Sequence, residues 1–165
     1  MQNSMNKAEN VASQYADDKK LLIRTRLHTM YSTNKQGLTP WLFEQYEFEE
    51  GDRILELGCG NGGQWNSKID KLPKDASLIL SDFSEEMVSI VRSKYAGFCN
   101  VGAESIDIQN IPYADTSFDV VIANFMMYHV PDIDKGIAEV RRVLKPGGVF
   151  YAATNGDGGM KAFLR

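Results

Sequence analysis

Apolar residues recur along the chain in two alternating patterns. Short, nearly unbroken apolar runs are typical of strands buried in a parallel sheet, and they predict strands at residues 54–57, 77–81, 104–106, 118–124 and 149–154. Apolar residues three and four positions apart predict helices at residues 11–34, 39–48, 64–71, 84–95 and 132–144. The alternation of strands and helices indicates an α/β fold, and 165 residues are enough for one domain.

Residues that favour helix ends mark several of these boundaries. Thr39 is placed to cap the second helix, with Pro40 in its first turn. Ser84 and Asp132 occupy the capping position before the fourth and fifth helices. The spacing in the fifth helix predicts one apolar stripe that faces the core, formed by Ile133, Ile137, Val140 and Leu144.

The first predicted strand runs into a stretch crowded with glycine, residues 58–63, which we call the glycine loop. Gly58, Gly60, Gly62 and Gly63 fall within these six positions, too many for a helix interior. Glycine is favoured where φ is positive or where a ligand contacts the main chain. A loop between a strand and a helix presents backbone N–H groups at the helix N-terminus. The stretch is therefore either a ligand-binding loop or a tight turn without a ligand.

The glycine spacing fits two kinds of nucleotide-binding loop. Gly58, Gly60 and Gly63 match the G-x-G-x-x-G of dinucleotide-binding enzymes, with Asp82 about 20 residues further on. Glu56 completes a second pattern, in which an acidic residue precedes the glycines by two positions. A carboxylate there would oppose the charge of a diphosphate, whereas it suits a cofactor that carries an ammonium group. This difference favours S-adenosylmethionine over NAD.

With Glu56 and its glycines, the sequence resembles the class I S-adenosylmethionine-dependent methyltransferases. Four further segments carry the resemblance: D-x-S-x-x-M from Asp82, D-I-Q-N-I-P-Y from Asp107, F-D-V-V-I-A-N from Phe118 and L-K-P-G-G from Leu144. The resemblance implies a doubly wound, Rossmann-like parallel sheet with strand order 3-2-1-4-5 and helices on both faces. It also implies S-adenosylmethionine as the cofactor and S-adenosylhomocysteine as the product.

The predicted cofactor site lies where the strands end. In a parallel sheet the carboxyl ends of the strands line one crevice, and Asp82 there can accept hydrogen bonds from both hydroxyls of a ribose. In the alternative, Asp82 only caps the following helix. The resemblance implies the other contacts: Gly58, Cys59, Gly60 and Asn61 at the amino-acid end, Glu56 near its ammonium, Phe83 beside the adenine, Met87 in the motif of Asp82, Asp107 and Ile108 at the adenine, and Asn124 and Phe125 along the far wall.

Some of these segments also have a purely structural interpretation. Asp107 is suited to accept hydrogen bonds from its own loop backbone. Ile108 replaces the small residue usual in the family, so we expect a tighter or shifted adenine pocket. The segment F-M-M-Y-H at residues 125–129 is either a wall around the sulfonium and the acceptor or ordinary core. His129 is the one candidate for a general base, with a structural histidine as the alternative.

Composition and charge exclude several other classes of protein. A net charge of −4 lacks the basic excess of a nucleic-acid-binding surface. Cys59 and Cys99 form neither a disulfide framework nor a paired metal motif, so no metal is expected. The sequence has no apolar run as long as a membrane span, and its N-terminus lacks the apolar centre of a signal peptide. We therefore expect a cytoplasmic protein that does not bind membranes.

Two regions are expected along the chain. Residues 1–34 form a tail and an amphipathic helix, which either packs on the domain or covers the cofactor as a lid. In the lid, Tyr15 or Arg24 would reach the methionyl carboxylate. Residues 35–165 form the S-adenosylmethionine-binding core. The family resembled has seven strands and this sequence supplies five, so we expect a fragment that lacks the C-terminal antiparallel pair.

The predicted function is methyl transfer from S-adenosylmethionine to a small-molecule acceptor. Because the sulfonium is already activated, the protein has to align the reactants and exclude water, and no covalent enzyme intermediate is needed. Two alternatives stay open: an NAD(P)-dependent oxidoreductase, and a module that binds S-adenosylmethionine without catalysis. The sequence defines neither the acceptor nor the oligomeric state.

Overall fold

The structure of the protein is a computed structural model, and it describes residues 36–154 together with Arg26, Met30 and Tyr31. The predicted helix at residues 11–34 lies almost wholly outside the described residues. The proposed lid contacts of Tyr15 and Arg24 also lie outside them and stay predictions. Within the described part, helices or short 3-10 turns separate the strands, except between residues 105 and 118.

One parallel sheet with the order β3-β2-β1-β4-β5 forms the centre of the described part. Its strands are β1 (Arg53–Leu57), β2 (Ser77–Asp82), β3 (Val101–Ser105), β4 (Phe118–Asn124) and β5 (Leu144–Ala153). All neighbouring strands pair in parallel, so the predicted fold class and strand order are confirmed. β5 begins earlier than predicted because Leu144 already pairs with Phe118, ahead of a register shift near Val120.

The described α-helices are α1 (Leu38–Phe43), α2 (Glu85–Lys94) and α3 (Ile133–Val143). α1 starts after Gly37, so the predicted cap at Thr39 is wrong and Thr39 lies inside the helix. α1 also ends at Phe43, several residues before the predicted end. Beyond it, the ring of Tyr46 packs on Tyr151 of β5 and the ring of Phe48 packs on Trp65. None of the described helices is both long and apolar enough to pass through a bilayer.

The α-helix predicted at residues 64–71 does not form. Two short 3-10 turns, Gly63–Trp65 and Ile69–Lys71, take its place. Ser67 has a φ of 58°, a left-handed conformation that interrupts a right-handed helix. The glycine loop therefore leads into a tight turn and not into the N-terminus of an α-helix.

The predicted caps of α2 and α3 are confirmed. Ser84 Oγ accepts a hydrogen bond from the N–H of Met87, and Asp132 Oδ1 accepts one from the N–H of Lys135. Each side chain satisfies an N–H group that the helix itself leaves unpaired at its first turn. Capping residues were therefore a reliable signal for where these two helices begin.

The predicted inner face of α3 is partly wrong. Gly136, Val140 and Val143 are buried, whereas Ile133 and Ile137 are 44% and 46% exposed. A Cβ on Gly136 would lie in ordinary van der Waals contact, 3.4 Å from the Ile108 side chain and 3.5 Å from that of Val130. The buried stripe thus includes a glycine, which counting apolar residues could not reveal.

Two apolar layers pack on the two faces of the sheet. One layer joins α3 to the sheet through residues that include Leu55, Leu57, Val121 and Val140. The other joins α2 and the turn after the glycine loop to the sheet through residues that include Ile54, Trp65, Leu80 and Val91. Successive side chains of a strand point to opposite faces. Glu56 therefore lies on the face of Ile54 and Trp65.

Candidate functional site

The sheet gathers the predicted site residues at one edge. Asp82 ends β2, Asn124 ends β4, and the glycine loop begins directly after β1. Because β1 lies between β2 and β4 and all three run in the same direction, these ends are adjacent. Asp107 follows the end of β3 by two residues, further along the same edge. This placement is the one that the sequence predicted.

The glycine loop depends on its glycines for conformation and for packing. Gly58, Gly60 and Gly62 have φ values of 71°, 55° and 66°, in the left-handed region. A Cβ on Gly58 would lie 2.7 Å from the Cβ of Met126, and one on Gly62 would lie 2.9 Å from the ring of Tyr95. Side chains that follow β4 and α2 therefore hold the loop in this shape.

Most backbone N–H groups of the glycine loop are paired within the protein. They donate to acceptors at 2.8–3.0 Å: Cys59 to the Ser81 carbonyl, Gly60 to Asp82 Oδ2, Gly62 to the Cys59 carbonyl and Gly63 to Asn61 Oδ1. Diphosphate-binding loops present free amides to the ligand. With its amides paired and a carboxylate bound to it, this loop is poorly suited to a diphosphate.

Glu56 places a buried carboxyl group beside the glycine loop. Its surface is only 2% exposed, and Oε2 accepts a hydrogen bond from the indole N–H of Trp65. Burial raises the pKa of Glu56 to about 7, the Trp65 N–H lowers it, and the nearby Asp82 carboxylate raises it further. A cation beside Glu56 would favour the ionised carboxylate, so this position suits a ligand with a positive charge.

Asp82 joins the glycine loop to the start of α2. Oδ2 accepts from the N–H of Gly60 and Oδ1 from the N–H of Ser84, both at 2.9 Å. Burial raises the pKa of Asp82, while the backbone hydrogen bonds lower it. Because Ser84 supplies the helix cap, the capping alternative for Asp82 is wrong. Each carboxylate oxygen keeps a lone pair that a ribose hydroxyl could use.

The two predicted neighbours of Asp82 differ in accessibility. Phe83 is 52% exposed at the sheet edge, which is compatible with a ring that stacks on an adenine. Met87 is 1% exposed and lies in the core, and its N–H is bound by Ser84. The cofactor contact of Met87 stays a prediction, and core packing already explains a methionine at this position.

Asp107 accepts hydrogen bonds within its own loop, which is the structural interpretation of this residue. Its Oδ1 accepts from the backbone N–H of Gln109 at 2.8 Å and from the Gln109 side chain at 3.1 Å. Ile108 is 4% exposed and packs against α3. The adenine roles of both residues stay predictions. A contact from Ile108 would have to come from its backbone, because its side chain is in the core.

Asn124 takes part in an uncharged polar network on the same face of the sheet as Glu56. Its Nδ2 donates to the Tyr46 hydroxyl at 2.6 Å and to Gln64 Oε1 at 3.3 Å. Gln64 Nε2 donates to the same hydroxyl at 2.8 Å. Burial raises the pKa of Tyr46 to about 12, so this hydroxyl stays neutral. The network ties the end of β4 to the turn after the glycine loop, and a cofactor contact of Asn124 stays a prediction.

The segment after β4 is divided between core and surface. Phe125 has a φ of 55°, and its N–H donates to a carbonyl of β5 at 2.7 Å. Met126 and Met127 pack on the apolar layer beneath α3, which favours the core interpretation for both. Tyr128 is 38% exposed, with its ring centroid 4.3 Å from that of His129. The general-base role of His129 stays a prediction.

Three residues of this site were missed in the sequence: Trp65, Tyr46 and Gln64. All three lie in segments predicted to be helical, and none lies in an α-helix. Their residue types were the only signal that could have indicated a role in the site, because a buried indole, hydroxyl or amide needs a hydrogen-bond partner. The separation of nine residues between Glu56 and Trp65 matches no helix or strand repeat, so spacing could not pair them.

Comparison with known proteins identifies the family. A family described as "Methyltransferase domain" matches residues 54–148, more than half of the chain. The chain belongs to the methyltransferase domain family. Demethylmenaquinone methyltransferase from Clavibacter sepedonicus is 38% identical over 98 residues, which are 59% of this chain and 39% of that protein. The chain spans about two fifths of the length of the first curated relatives it matches.

Solved structures extend the likeness to the fold. The S-adenosylmethionine-dependent methyltransferase from Mesorhizobium loti has a TM-score of 0.61 at 26% identity, over 72% of this chain and 54% of that chain. The cyclase SpnF has a TM-score of 0.72 at 23% identity, over 87% of this chain and 58% of that chain. At this identity the likeness to SpnF shows the fold alone.

The residues at the sheet edge fit S-adenosylmethionine. Glu56 offers a buried carboxyl group to an ammonium, and Asp82 offers a carboxylate to a pair of hydroxyls. The paired amides of the glycine loop disfavour the diphosphate of NAD. S-adenosylmethionine is therefore the cofactor of this methyltransferase domain, as predicted. Among the residues that the structure describes, no group of three or more His, Cys, Asp or Glu side chains is placed to hold a metal ion.

Proposed function

We propose that this chain is the cofactor-binding part of an enzyme that transfers a methyl group from S-adenosylmethionine to a small, apolar acceptor of the quinone class. The observation that carries the cofactor part is Glu56, a buried carboxyl group at the start of a glycine loop whose amides are largely paired. An ammonium gains from such a carboxyl group, whereas a diphosphate is repelled by it.

The chain's residues contribute binding, orientation and exclusion of water. The bound cofactor supplies an activated methyl group on a sulfonium. Glu56 balances the ammonium of the amino-acid end, and Asp82 accepts hydrogen bonds from the ribose hydroxyls. Phe125 and Met126, half-buried after β4, add apolar surface beside this edge. A site that excludes water favours a transfer in which charge is lost, so no covalent intermediate with the protein is required.

The quinone class of acceptor is supported by the names of curated relatives. Demethylmenaquinone methyltransferases from several bacteria are 31–38% identical over the matched region. A net charge of −4 also supports an acceptor other than nucleic acid. The small-molecule acceptor and the cytoplasmic location stay predictions.

The cofactor assignment is tested by titrating the protein with S-adenosylhomocysteine and, separately, with NADH. We expect calorimetry to detect S-adenosylhomocysteine binding only. The variant Asp82→Asn should weaken that binding by about 1–3 kcal/mol because hydrogen bonds to the ribose lose their charged acceptor.

The variant Asp119→Asn is the matched control for this titration. Asp119 lies at the opposite end of the sheet, where it accepts from the N–H of Arg53 and from Lys145 Nζ. We expect it to alter stability and to leave S-adenosylhomocysteine affinity unchanged. Binding of NADH instead, or equal affinities in Asp82→Asn and the unmodified protein, would overturn the assignment.

A module that binds S-adenosylmethionine without catalysis is the second candidate. It rests on the general rule that one fold hosts several functions. The decisive assay offers radiolabelled S-adenosylmethionine and a demethylated menaquinone analogue to the protein. Label recovered in the quinone supports methyl transfer, whereas tight cofactor binding without transfer to any quinone analogue supports the module.

A further inference from the structure

We propose that Trp65 is a positioning residue for cofactor binding: its indole N–H holds the Glu56 carboxylate in place to receive the ammonium group. This inference rests on the proposed function and adds a residue that lies outside the glycine motif. Trp65 acts through Glu56, so its contribution must appear in how Glu56 ionises and binds, not in a contact with the cofactor.

Trp65 is held rigidly on the face of the sheet that carries Glu56. It is fully buried at the end of the 3-10 turn Gly63–Trp65. Its ring meets Phe43 edge-on, with centroids 5.0 Å apart, and stacks on Phe48 at 6.2 Å. The N–H is therefore directed at Glu56 Oε2 before a ligand arrives. A donor that is already ordered adds no entropic cost when the ligand binds.

The second oxygen of Glu56 is left for a ligand. Among the described residues, no hydrogen-bond donor reaches Oε1, and no fully buried side-chain polar atom lacks a partner. Oε1 therefore retains at most a small part of the 2% of surface that Glu56 exposes. A carboxylate with one oxygen bound by a fixed donor and the other without a donor is suited to accept a hydrogen bond from an ammonium.

Titratable groups face Glu56 from several elements: Asp82 at the end of β2, Cys59 in the glycine loop, Tyr46 after α1 and Tyr95 after α2. Burial raises the pKa of Cys59 well above its usual value and those of Tyr46 and Tyr95 to about 12, so these three groups are neutral near pH 7. Lys94 is a cation that acts on Cys59. Burial and Asp82 raise the pKa of Glu56, and Trp65 is the neighbour that lowers it.

The variant Trp65→Phe removes this donor while keeping an aromatic ring in the core. Without the N–H, the buried carboxylate is less stable and takes up its proton at a higher pH. A hydrogen bond to a charged group corresponds to about one pKa unit or more. S-adenosylhomocysteine, which carries the same ammonium as the cofactor, should therefore bind with a pH midpoint about one unit higher in this variant.

The experiment is a calorimetric titration with S-adenosylhomocysteine at several pH values between about 5.5 and 8.5. It compares the unmodified protein with Trp65→Phe, Glu56→Gln and Trp41→Phe. Trp41, which is 45% exposed in α1, is the matched control for loss of an indole. We expect the affinity of the unmodified protein and of Trp41→Phe to rise with pH through one shared midpoint. Glu56→Gln should bind weakly and independently of pH.

The possible outcomes separate this inference from the proposed function. A raised midpoint in Trp65→Phe supports the positioning role. An affinity that falls by the same factor at every pH would show that Trp65 only packs, and would overturn it. An unmodified protein that binds no S-adenosylhomocysteine at any pH contradicts the proposed function and the inference with it.

A second measurement keeps the inference testable if Trp65→Phe fails to fold. The indole N–H resonance of Trp65 is identified as the one that remains in Trp41→Phe. We expect its chemical shift to follow the ionisation of Glu56 near pH 7 and to lose that dependence in Glu56→Gln. A Trp65 resonance that does not change with pH in the unmodified protein would overturn the proposal.

Discussion

Glu56 and Asp82 are two carboxyl groups whose pKa values burial raises in the same small region. Hydrogen bonds from Trp65 and from the backbone of the glycine loop offset only part of this cost. Buried groups with raised pKa values cluster at functional sites, where a ligand restores the balance of charge. Burying these two carboxylates therefore costs the folded chain free energy, and the positive charge of a bound cofactor can offset that cost.

The variant Glu56→Gln tests this cost when its free energy of unfolding, without a ligand, is compared with that of the unmodified protein. The pKa of Glu56 rises from 4.5 to about 7 on folding, so the folded protein binds the proton more tightly than the unfolded chain. The stability of the unmodified protein therefore falls as the pH rises from 4.5 to 7. At pH 8 the variant should be more stable by about 3 kcal/mol, and the difference should vanish near pH 4.5.

Chemical denaturation at a series of pH values measures this difference. Glu50, an exposed glutamate in the turn before β1, supplies the matched control, and Glu50→Gln should show no comparable gain at pH 8. A variant Glu56→Gln that is no more stable than the unmodified protein at pH 8 would show that the buried carboxyl group carries no penalty.

The glycine loop is an element whose shape comes from its neighbours. Met126 packs on Gly58, Tyr95 packs on Gly62 and donates to its carbonyl at 2.7 Å, and Lys94 Nζ donates to the Asn61 carbonyl at 3.1 Å. The loop is therefore ordered before the cofactor arrives. Pre-organisation of this kind lowers the entropic cost of binding.

Gly58→Ala tests the packing of this element. The alanine would have to adopt a φ of 71°, and its Cβ would lie 2.7 Å from the Cβ of Met126. Left-handed backbone costs about 1–2 kcal/mol for a residue with a side chain. With the clash added, we expect a loss of about 2 kcal/mol or more in the free energy of unfolding, together with weaker S-adenosylhomocysteine binding.

The matched control for this loop variant is Gly97→Ala. A Cβ at Gly97 would meet nothing within 4 Å, and its φ is outside the left-handed region. Denaturation and calorimetry of both variants measure the two effects. If Gly58→Ala cost no more than Gly97→Ala in either measurement, the loop would not depend on the absence of a side chain.

The molecule as a whole couples its site to its stability through the sheet. The glycine loop, Asp82 and Asn124 extend from three central strands whose side chains form both apolar layers. A ligand that bridges these strand ends binds only the folded protein. Its binding free energy must therefore add to the free energy of unfolding.

S-adenosylhomocysteine should accordingly raise the thermal midpoint of the whole protein. At about one hundred times its Kd, it adds about 2.7 kcal/mol, which corresponds to roughly 5–10 °C for a chain of this size. Scanning calorimetry measures the shift, and NADH at the same concentration should produce none. A midpoint that moves equally with both ligands would indicate nonspecific binding.

Local signals predicted much of this architecture. The central strands β1, β2 and β4 are mostly buried, so their apolar runs were readable without knowledge of their partners. The edge strand β3 is partly exposed and lies at Val101–Ser105, not at the predicted residues 104–106. The caps at Ser84 and Asp132 act within one turn of chain. The glycine motif combines a strand end with positive φ values over a few residues. The edge shared by Asp82 and Asn124 followed from these signals, whereas the strand order and the cofactor were implied by the family that the motifs resemble.

Contacts between distant segments determined the remainder. The buried stripe of α3 includes Gly136, which packs against Ile108. Beyond the end of α1, Tyr46 packs on Tyr151 and Phe48 packs on Trp65. Trp65 meets Glu56, and Tyr46 meets Asn124, across separations of 9 and 78 residues. The amino-acid order alone thus defined the central strands and the glycine loop, because these obey local rules. The hydrogen-bond partners of the buried polar groups emerged only on folding, because satisfying them depends on which surfaces the three-dimensional packing brings together.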